Sequence, residues 1–214
     1  MNSSQLLVSG VQRLNIRVDK TQLDNLLQYV QLLQKWNQAY NLTAIEDTDE
    51  IISKHILDSL SVTHHLYGNN IIDVGSGAGL PGIPLAIVCQ DKQFTLLDSN
   101  AKKTRFIQQV IIDLRLKNVQ AVHQRVEDYS ADCASKEEFT TLVSRAFAAS
   151  DKLFTSCQQL LNYLNADGQI IFMLGKQKHL EALPKRYNVE QIHSIEIPYL
   201  KAQRHIAIVK KFDS

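Results

Sequence analysis

The run Ile71-Ile72-Asp73-Val74-Gly75-Ser76-Gly77-Ala78-Gly79-Leu80-Pro81-Gly82 constrains this chain more than any other. Four glycines fall within eight residues there, out of eight in the whole 214-residue sequence. Ahead of them an apolar run ends in Asp73 and Val74. Behind them Ile83-Pro84-Leu85-Ala86-Ile87-Val88 reads as the start of an apolar helix. The pattern is strand, glycine turn, helix. A tight turn demands φ > 0, and a ligand comes close to backbone only where no Cβ intervenes. Amides at the start of the next helix face that ligand. Such a segment suits a nucleotide-like cofactor.

The rest of the chain alternates to match. Strands are expected at Ile71–Val74, Phe94–Asp98, Val119–His123, Thr141–Ser144 and Gln169–Leu174, with helices at about 82–89, 101–116 and 151–165. A β-then-α order implies a parallel sheet with right-handed crossovers. The end differs: Tyr187–Ile197 and Arg204–Lys211 are β-rich and joined through Pro198, which predicts a closing antiparallel pair. Residues 1–66 read as a helical extension and 67–214 as the sheet domain, the two forming one compact unit. Leu23, Leu26, Leu27, Val30 and Leu33 recur at helical spacing, with Thr21 as the expected N-cap. A second helical pattern runs from Asp49 to Leu60, and Trp36 to Thr43 reads as a link between the two.

Composition excludes some classes. No apolar run reaches the ~20 residues of a membrane span. The N-terminus has no basic segment leading into an apolar core, so no signal peptide is expected and the cytoplasm is the expected compartment. Cys89, Cys133 and Cys157 show no C-x-x-C spacing, and the seven histidines form no H-x-x-x-H pattern. No metal is expected. Net charge is +1, but residues 175–214 carry eight Lys/Arg against four Asp/Glu. That surplus fits a polyanion partner or an ordinary solvated surface equally well.

Gly77-Ala78-Gly79-Leu80-Pro81-Gly82 satisfies G-x-G-x-x-G, so NAD(P) is one reading. Against it, only one glycine turn is present where a dinucleotide needs two nucleotide-binding halves. No second domain remains for hydride chemistry. Asp73, just before the turn, would favour a cationic sulfonium ligand over a pyrophosphate. Asp98 follows Gly75 by 23 residues and ends the second strand, where a carboxylate can accept from both ribose hydroxyls; alternatively it caps the next helix. The ribose is common to NAD and S-adenosylmethionine.

The chain resembles the ribosomal RNA small-subunit methyltransferase G family, also called glucose-inhibited division protein B, over nearly its whole length. Trp36-Asn37 with Asn41-Leu42-Thr43, His55-Ile56-Leu57-Asp58-Ser59, the glycine turn through Ile83-Pro84, Leu96-Leu97-Asp98-Ser99, Arg125-Val126-Glu127 and Ser144-Arg145-Ala146-Phe147-Ala148 carry the likeness, which ends near Arg204-His205. In one place the chain departs: the family pattern has Lys-Gly after the fifth strand, and here Gly175-Lys176 stands. The resemblance implies an α/β fold: a Rossmann-like class I S-adenosylmethionine-dependent methyltransferase sheet, mostly parallel, with a C-terminal antiparallel hairpin and an N-terminal helical extension. It implies methyl transfer from S-adenosyl-L-methionine to N7 of one guanosine in 16S ribosomal RNA, free or in a small-subunit particle, by a protein read as a monomer.

Carried over motif by motif, the cofactor contacts are Gly75, Leu80, Val126, Glu127 and Arg145, joined by Gly77 and Gly79 of the turn and by Asp98. Guanine N7 bears a lone pair and no proton, so no general base is assigned. The product gains positive charge, so a cation near N7 opposes the reaction, whereas a donor to O6 orients the base. Arg145, at the end of the fourth strand, is the candidate donor; an ion pair with an acid such as Glu127 is its other reading. His55 and Asp58, one helical turn apart, either line the rim or share a surface hydrogen bond. RNA contacts are expected at Arg125, Lys176 and Arg204, within a wider set of Lys102, Lys103, Arg105, Lys178, Lys185 and Arg186. Trp36, Tyr40 and Phe147 are stacking or packing aromatics. Competing functions are methylation of another substrate on the same fold and cofactor sensing without catalysis.

Overall fold

The computed structural model describes residues 2–129, 138–146, 160–175 and 189–210. Cys133, Phe147, Cys157, Lys176, Lys178, Lys185 and Arg186 therefore lie outside the described residues, as does most of the expected helix at 151–165.

Seven strands form one sheet in the order β3-β2-β1-β4-β5-β7-β6: β1 Asn70–Val74, β2 Gln93–Asp98, β3 Val119–His123, β4 Phe139–Ala146, β5 Leu164–Leu174, β6 Val189–Ile195 and β7 Arg204–Lys210. β1 to β5 are mutually parallel where they pair, and β7 runs antiparallel to both β5 and β6. The order reverses at β1, flanked by β2 and β4. Open α/β sheets bind ligands at that switch point, off the strands' carboxyl ends. The end of β1 is the glycine turn, and the end of β4 carries Arg145.

Alternation along β1 explains the two cores. Ile71 packs with the helices on one face, while Ile72 and Val74 join Leu97, Leu142 and Phe172 on the other. The helical side holds α1 Ser3–Arg13, α2 Lys20–Tyr40, α5 Gly82–Val88 and α6 Ala101–Asp113. From α2 come Leu26, Tyr29, Val30 and Leu33, all at 1% exposure or less. Each such aliphatic side chain contributes roughly 1.5–3 kcal/mol by burial.

Several local expectations are corrected. The N-cap of α2 is Asp19, not Thr21; its side chain accepts from Gln22 N–H at 2.8 Å, and the Gln22 side chain accepts from Asp19 N–H in return. That reciprocal pair satisfies two end donors at once. The expected link at 36–43 is mostly helix: α2 continues to Tyr40 and stops at Asn41, whose φ of 51° is left-handed. Trp36 stacks on Tyr40 at 5.1 Å and meets Phe106 at 5.6 Å, so both aromatics are engaged in packing. The helical pattern from Asp49 to Leu60 is present, but its interior is not α-helical. α3 (Thr48–Ile51) and α4 (Asp58–Leu60) flank a π-helical stretch, Ile52–Leu57. Gly10 of α1 lies against Leu57 there with no room for a Cβ. Finally, the expected helix to 165 gives way to a 3-10 turn at Leu160–Tyr163 and to β5 from Leu164.

Candidate active site

The four glycines of the turn divide into two jobs. Gly75, Gly77 and Gly79 have φ of 70°, 59° and 84°. A Cβ on Gly75 would meet nothing within 4 Å, and one on Gly77 would have only Gly75 O at 3.9 Å and Lys103 Nζ at 4.0 Å near it. Those two open outward. A Cβ on Gly79 would stand 2.6 Å from Ile83 Cγ1, and one on Gly82 would stand 2.7 Å from Leu96 Cγ. Those two permit packing of α5 against the sheet. The absent Cβ of Gly79, a residue expected at the cofactor, faces Ile83 and Ile107.

Gly75 and Gly77 open into a cavity of about 380 Å³, within the usual size range of ligand sites, roughly 300–1,000 Å³. One wall is the turn, with Gly75, Gly77 and Leu80. The opposite wall is the N-terminal extension, with Leu42, Thr43, Ile45 and His55. Lys103 of α6 and Arg145 of β4 complete it. The structure thus brings Gly75, Gly77, Leu80 and Arg145 together. His55, expected either at the rim or in a surface hydrogen bond, lines the cavity too, and the structure adds Thr43 and Lys103, the latter expected on the RNA surface.

Two carboxylates fasten the turn. Asp98 Oδ2 accepts from Gly77 N–H and Oδ1 from Asn100 N–H, both at 2.8 Å. The cap of α6 is Asn100, which accepts from the Lys102 and Lys103 amides; Asp98 is not that cap. A carboxylate has about four lone-pair positions, so Asp98 retains acceptor capacity. Asp73 was expected beside a cationic ligand. It is fully buried beneath the turn instead, where Oδ2 accepts from Gly82 N–H at 2.9 Å. Burial pushes its carboxyl up to about 7. Val126 and Glu127 sit on the 3-10 turn Val126–Asp128 after β3, outside the lining of the cavity, with Glu127 and Arg125 exposed.

His55 lines the cavity while only 5% exposed, and Asp58, at 2%, lies outside that lining, so neither makes the alternative surface hydrogen bond. His55 Nε2 lies 2.8 Å from Thr43 Oγ1. Its Nδ1 is 3.2 Å from Lys54 O and 3.4 Å from Arg145 Nη1. Those two Nδ1 contacts demand opposite protonation, because Arg145 only donates and a carbonyl only accepts. Burial, then the Arg145 charge, lowers the imidazole to about 4, so it is neutral near pH 7. Among the described residues the carboxylate at Arg145 is Asp58, Oδ2 to Nη1 3.8 Å, rather than Glu127. Asp58 Oδ1 also accepts from Arg204 Nε at 2.9 Å. Burial raises the Asp58 carboxyl while Arg145 and Arg204 pull it back down. Arg204, expected on the RNA surface, is thus partly buried and engaged within the protein.

Among the described residues no group of three or more His, Cys, Asp and Glu side chains is placed to hold a metal. Nor is any helix there long and apolar enough to cross a membrane. Cys89 is buried, and burial raises its thiol to about 11, which keeps it unreactive.

Comparison with known proteins places this geometry. Residues 22–207 match the protein-family model described as rRNA small subunit methyltransferase G. The Ribosomal RNA small subunit methyltransferase G of Nitrosococcus oceani is 46% identical over 203 residues, 94% of this chain and 92% of that protein. That of Marinobacter nauticus is 43% identical over 207 residues, 96% and 94%. That of Colwellia psychrerythraea is 40% identical over 213 residues, 99% of each. Among solved structures, a SAM dependent methyltransferase from Aquifex aeolicus aligns with a TM-score of 0.59 at 12% identity, covering 79% of this chain and 97% of its own. A precorrin-6y C5,15-methyltransferase from Geobacter metallireducens gives 0.53 at 15%, covering 81% and 92%. At such identities these two speak for the fold alone, the Rossmann-like class I methyltransferase sheet.

Proposed function

The chain belongs to the rRNA small subunit methyltransferase G family, and from that premise we propose that it methylates N7 of one guanosine in 16S ribosomal RNA, using S-adenosylmethionine. The observation that carries the reading is the cavity into which Gly75 and Gly77 open, with Arg145 on its border. Any side chain at either glycine would fill that space, which suits a ligand pressed against backbone. The residues fit S-adenosylmethionine: an open glycine cradle, a carboxylate at Asp98 with lone pairs to spare, and the Lys103 ammonium for the ligand's carboxylate. Val126 and Glu127 serve the adenine end.

When bound, S-adenosylmethionine supplies a methyl group on a sulfonium, transferred by in-line displacement with a neutral thioether leaving. The protein's work is positioning. Gly75, Gly77 and Leu80 set the floor. Arg145 donates to guanine O6 and so fixes the base with N7 inward. His55 stays uncharged beside it, which avoids a further cation near an atom that becomes positive. No group need remove a proton.

Arg125 and Lys176 meet RNA phosphates, and Arg204 stands behind Arg145. Residues 1–66 form an extension to the 67–214 methyltransferase domain and supply one wall of its cavity. The protein acts as a monomer in the cytoplasm, on 16S RNA or a small-subunit particle, with no metal. The test is tritium transfer from labelled S-adenosylmethionine to small-subunit RNA from cells lacking the protein, followed by nucleoside analysis. Label in 7-methylguanosine is expected. Label in another nucleoside, or none in RNA, overturns the reading.

A further inference from the structure

The N-terminal extension puts one carboxylate where two cations of the sheet meet. Asp58 starts α4, Arg145 is the last residue but one of β4 and Arg204 starts β7. The side chains of Asp58, Arg145 and Arg204 are 3%, 10% and 19% exposed. Arg145 borders both the large cavity and a small hollow behind it that Asp58, Gly175, Arg204 and His205 line. A buried ion group is weak evidence for stability, since desolvation opposes the attraction between its members. Its charge balance is the feature that bears on the reaction. Asp58 is the carboxylate held between the two guanidiniums, with the buried Asp73 a further attraction for Arg145, so losing Asp58 makes the site more positive beside a base that itself becomes positive at N7.

We propose that Asp58 sets the charge of the active site: its carboxylate offsets the Arg145–Arg204 pair, so that a base turning cationic at N7 is tolerated beside the guanidinium that orients it. This rests on the N7 reading above. Asp58 acts through the arginines as a positioning and charge-balancing residue.

The role has an unusual signature. Asp58→Asn keeps the shape and an acceptor for Arg204 Nε but removes the negative charge. The site becomes more positive, which favours RNA phosphates and opposes the cationic product. Single-turnover methylation of unmodified small-subunit particles should slow by roughly ten- to a hundredfold, the effect of one charge at close range in a partly buried site. Particle affinity should stay equal or rise by roughly two- to threefold at low salt. Removing one cation as well should restore the balance. The double variant Asp58→Asn/Arg204→Gln is therefore expected to regain at least severalfold of the lost rate.

A purely structural Asp58 also allows recovery in the double variant, because removing Arg204 relieves a buried unpaired cation; it differs in that Asp58→Asn then loses stability and particle affinity along with rate, whereas charge balance slows the rate with affinity equal or higher. If Asp58→Asn loses rate and affinity together, methylates at the wild-type rate, or is faster than the double variant, the proposal fails. The double variant buries fewer charges; where Asp58→Asn alone is too unstable to assay, the double is compared with wild type directly. A rate within roughly tenfold supports charge balance, and a larger loss overturns it. Nucleoside analysis of the wild-type product separates the two levels. Absence of 7-methylguanosine sinks the N7 reading and this inference together. Its presence with an unaffected Asp58→Asn sinks this inference alone.

Discussion

The phenolic hydroxyl of Tyr29 donates to the backbone carbonyl of Ala78 at 2.6 Å. Tyr29 is fully buried on α2, and Ala78 lies inside the glycine turn. One hydrogen bond therefore ties the N-terminal extension to the loop that shapes the cofactor cavity. Removing it strands the Ala78 carbonyl.

Tyr29→Phe is accordingly expected to cost about 1–3 kcal/mol of stability, the penalty for an unsatisfied buried acceptor, and to weaken cofactor binding by loosening the turn. Urea denaturation and calorimetric titration with S-adenosylhomocysteine measure the two. An unchanged dissociation constant would mean that the turn holds its shape without α2.

Gly77→Val and Gly79→Val should fail differently. Both place a β-branched residue at positive φ, at roughly 1–3 kcal/mol of strain. At Gly77 the new side chain enters the cavity and abolishes cofactor binding while the protein remains folded. At Gly79 it strikes Ile83 and adds about 1–3 kcal/mol of overpacking, so thermal stability falls further. A Gly77→Val protein that binds cofactor normally would put the site elsewhere.

Asp98→Ala should weaken cofactor binding by about 1.5–3 kcal/mol, the range for hydrogen bonds to a charged group, with no RNA present. Asn100→Ala removes the actual cap of α6 and should cost about 1 kcal/mol of stability with little change in affinity. Titration and melting of both variants distinguish the roles. Equal affinity losses would show that Asp98 acts only through the helix.

His55 gives stability a pH dependence with a defined sign. Its imidazole is at about 4 when folded against an ordinary 6.5. The stabilising contribution is therefore complete above pH 6.5 and drains as pH falls toward about 4. Relative to His55→Asn, the wild type should lose about 1.4 kcal/mol per pH unit across that window. Asp73 shifts the other way, favouring the folded state as pH falls, but it is common to both proteins and cancels. Denaturation midpoints at pH 7 and pH 5 decide. A constant gap between the two proteins would mean that His55 titrates as if exposed.

What could be read in the sequence was local. The strands flanking the turn stood out because apolar runs of strand length end in glycine and acid chemistry, and β3 was placed residue for residue at Val119–His123. Helix caps were harder. Thr21 is an ordinary cap residue, but Asp19 and Gln22 together satisfy two donors and win. The helix expected to 165 stops at Tyr163, and Asn165-Ala166-Asp167-Gly168, with its turn-forming composition, falls at the register break of β5 between Leu164 and Gln169. In the site, the glycines and Arg145 were legible because their motifs are contiguous. The Asp58–Arg204 bond was not, because it joins residues 146 apart in sequence. No periodicity reports such a pairing. G-x-G-x-x-G does not by itself distinguish a glycine whose absent Cβ would point into a cavity, as at Gly77, from one whose absent Cβ would meet a helix, as at Gly79.

The place of β7 has a consequence for how the molecule is made. It follows β6 in the chain but lies between β5 and β6 in the sheet. A growing polypeptide that has just delivered β6 has no seat for it, and the free edge of β5 stays open to stray pairing until β7 emerges. Arg204 is the first residue of β7. Asp58, synthesised long before, gains that partner only when the last interior strand slots in. The nascent protein therefore completes its charge cluster only as it closes its sheet.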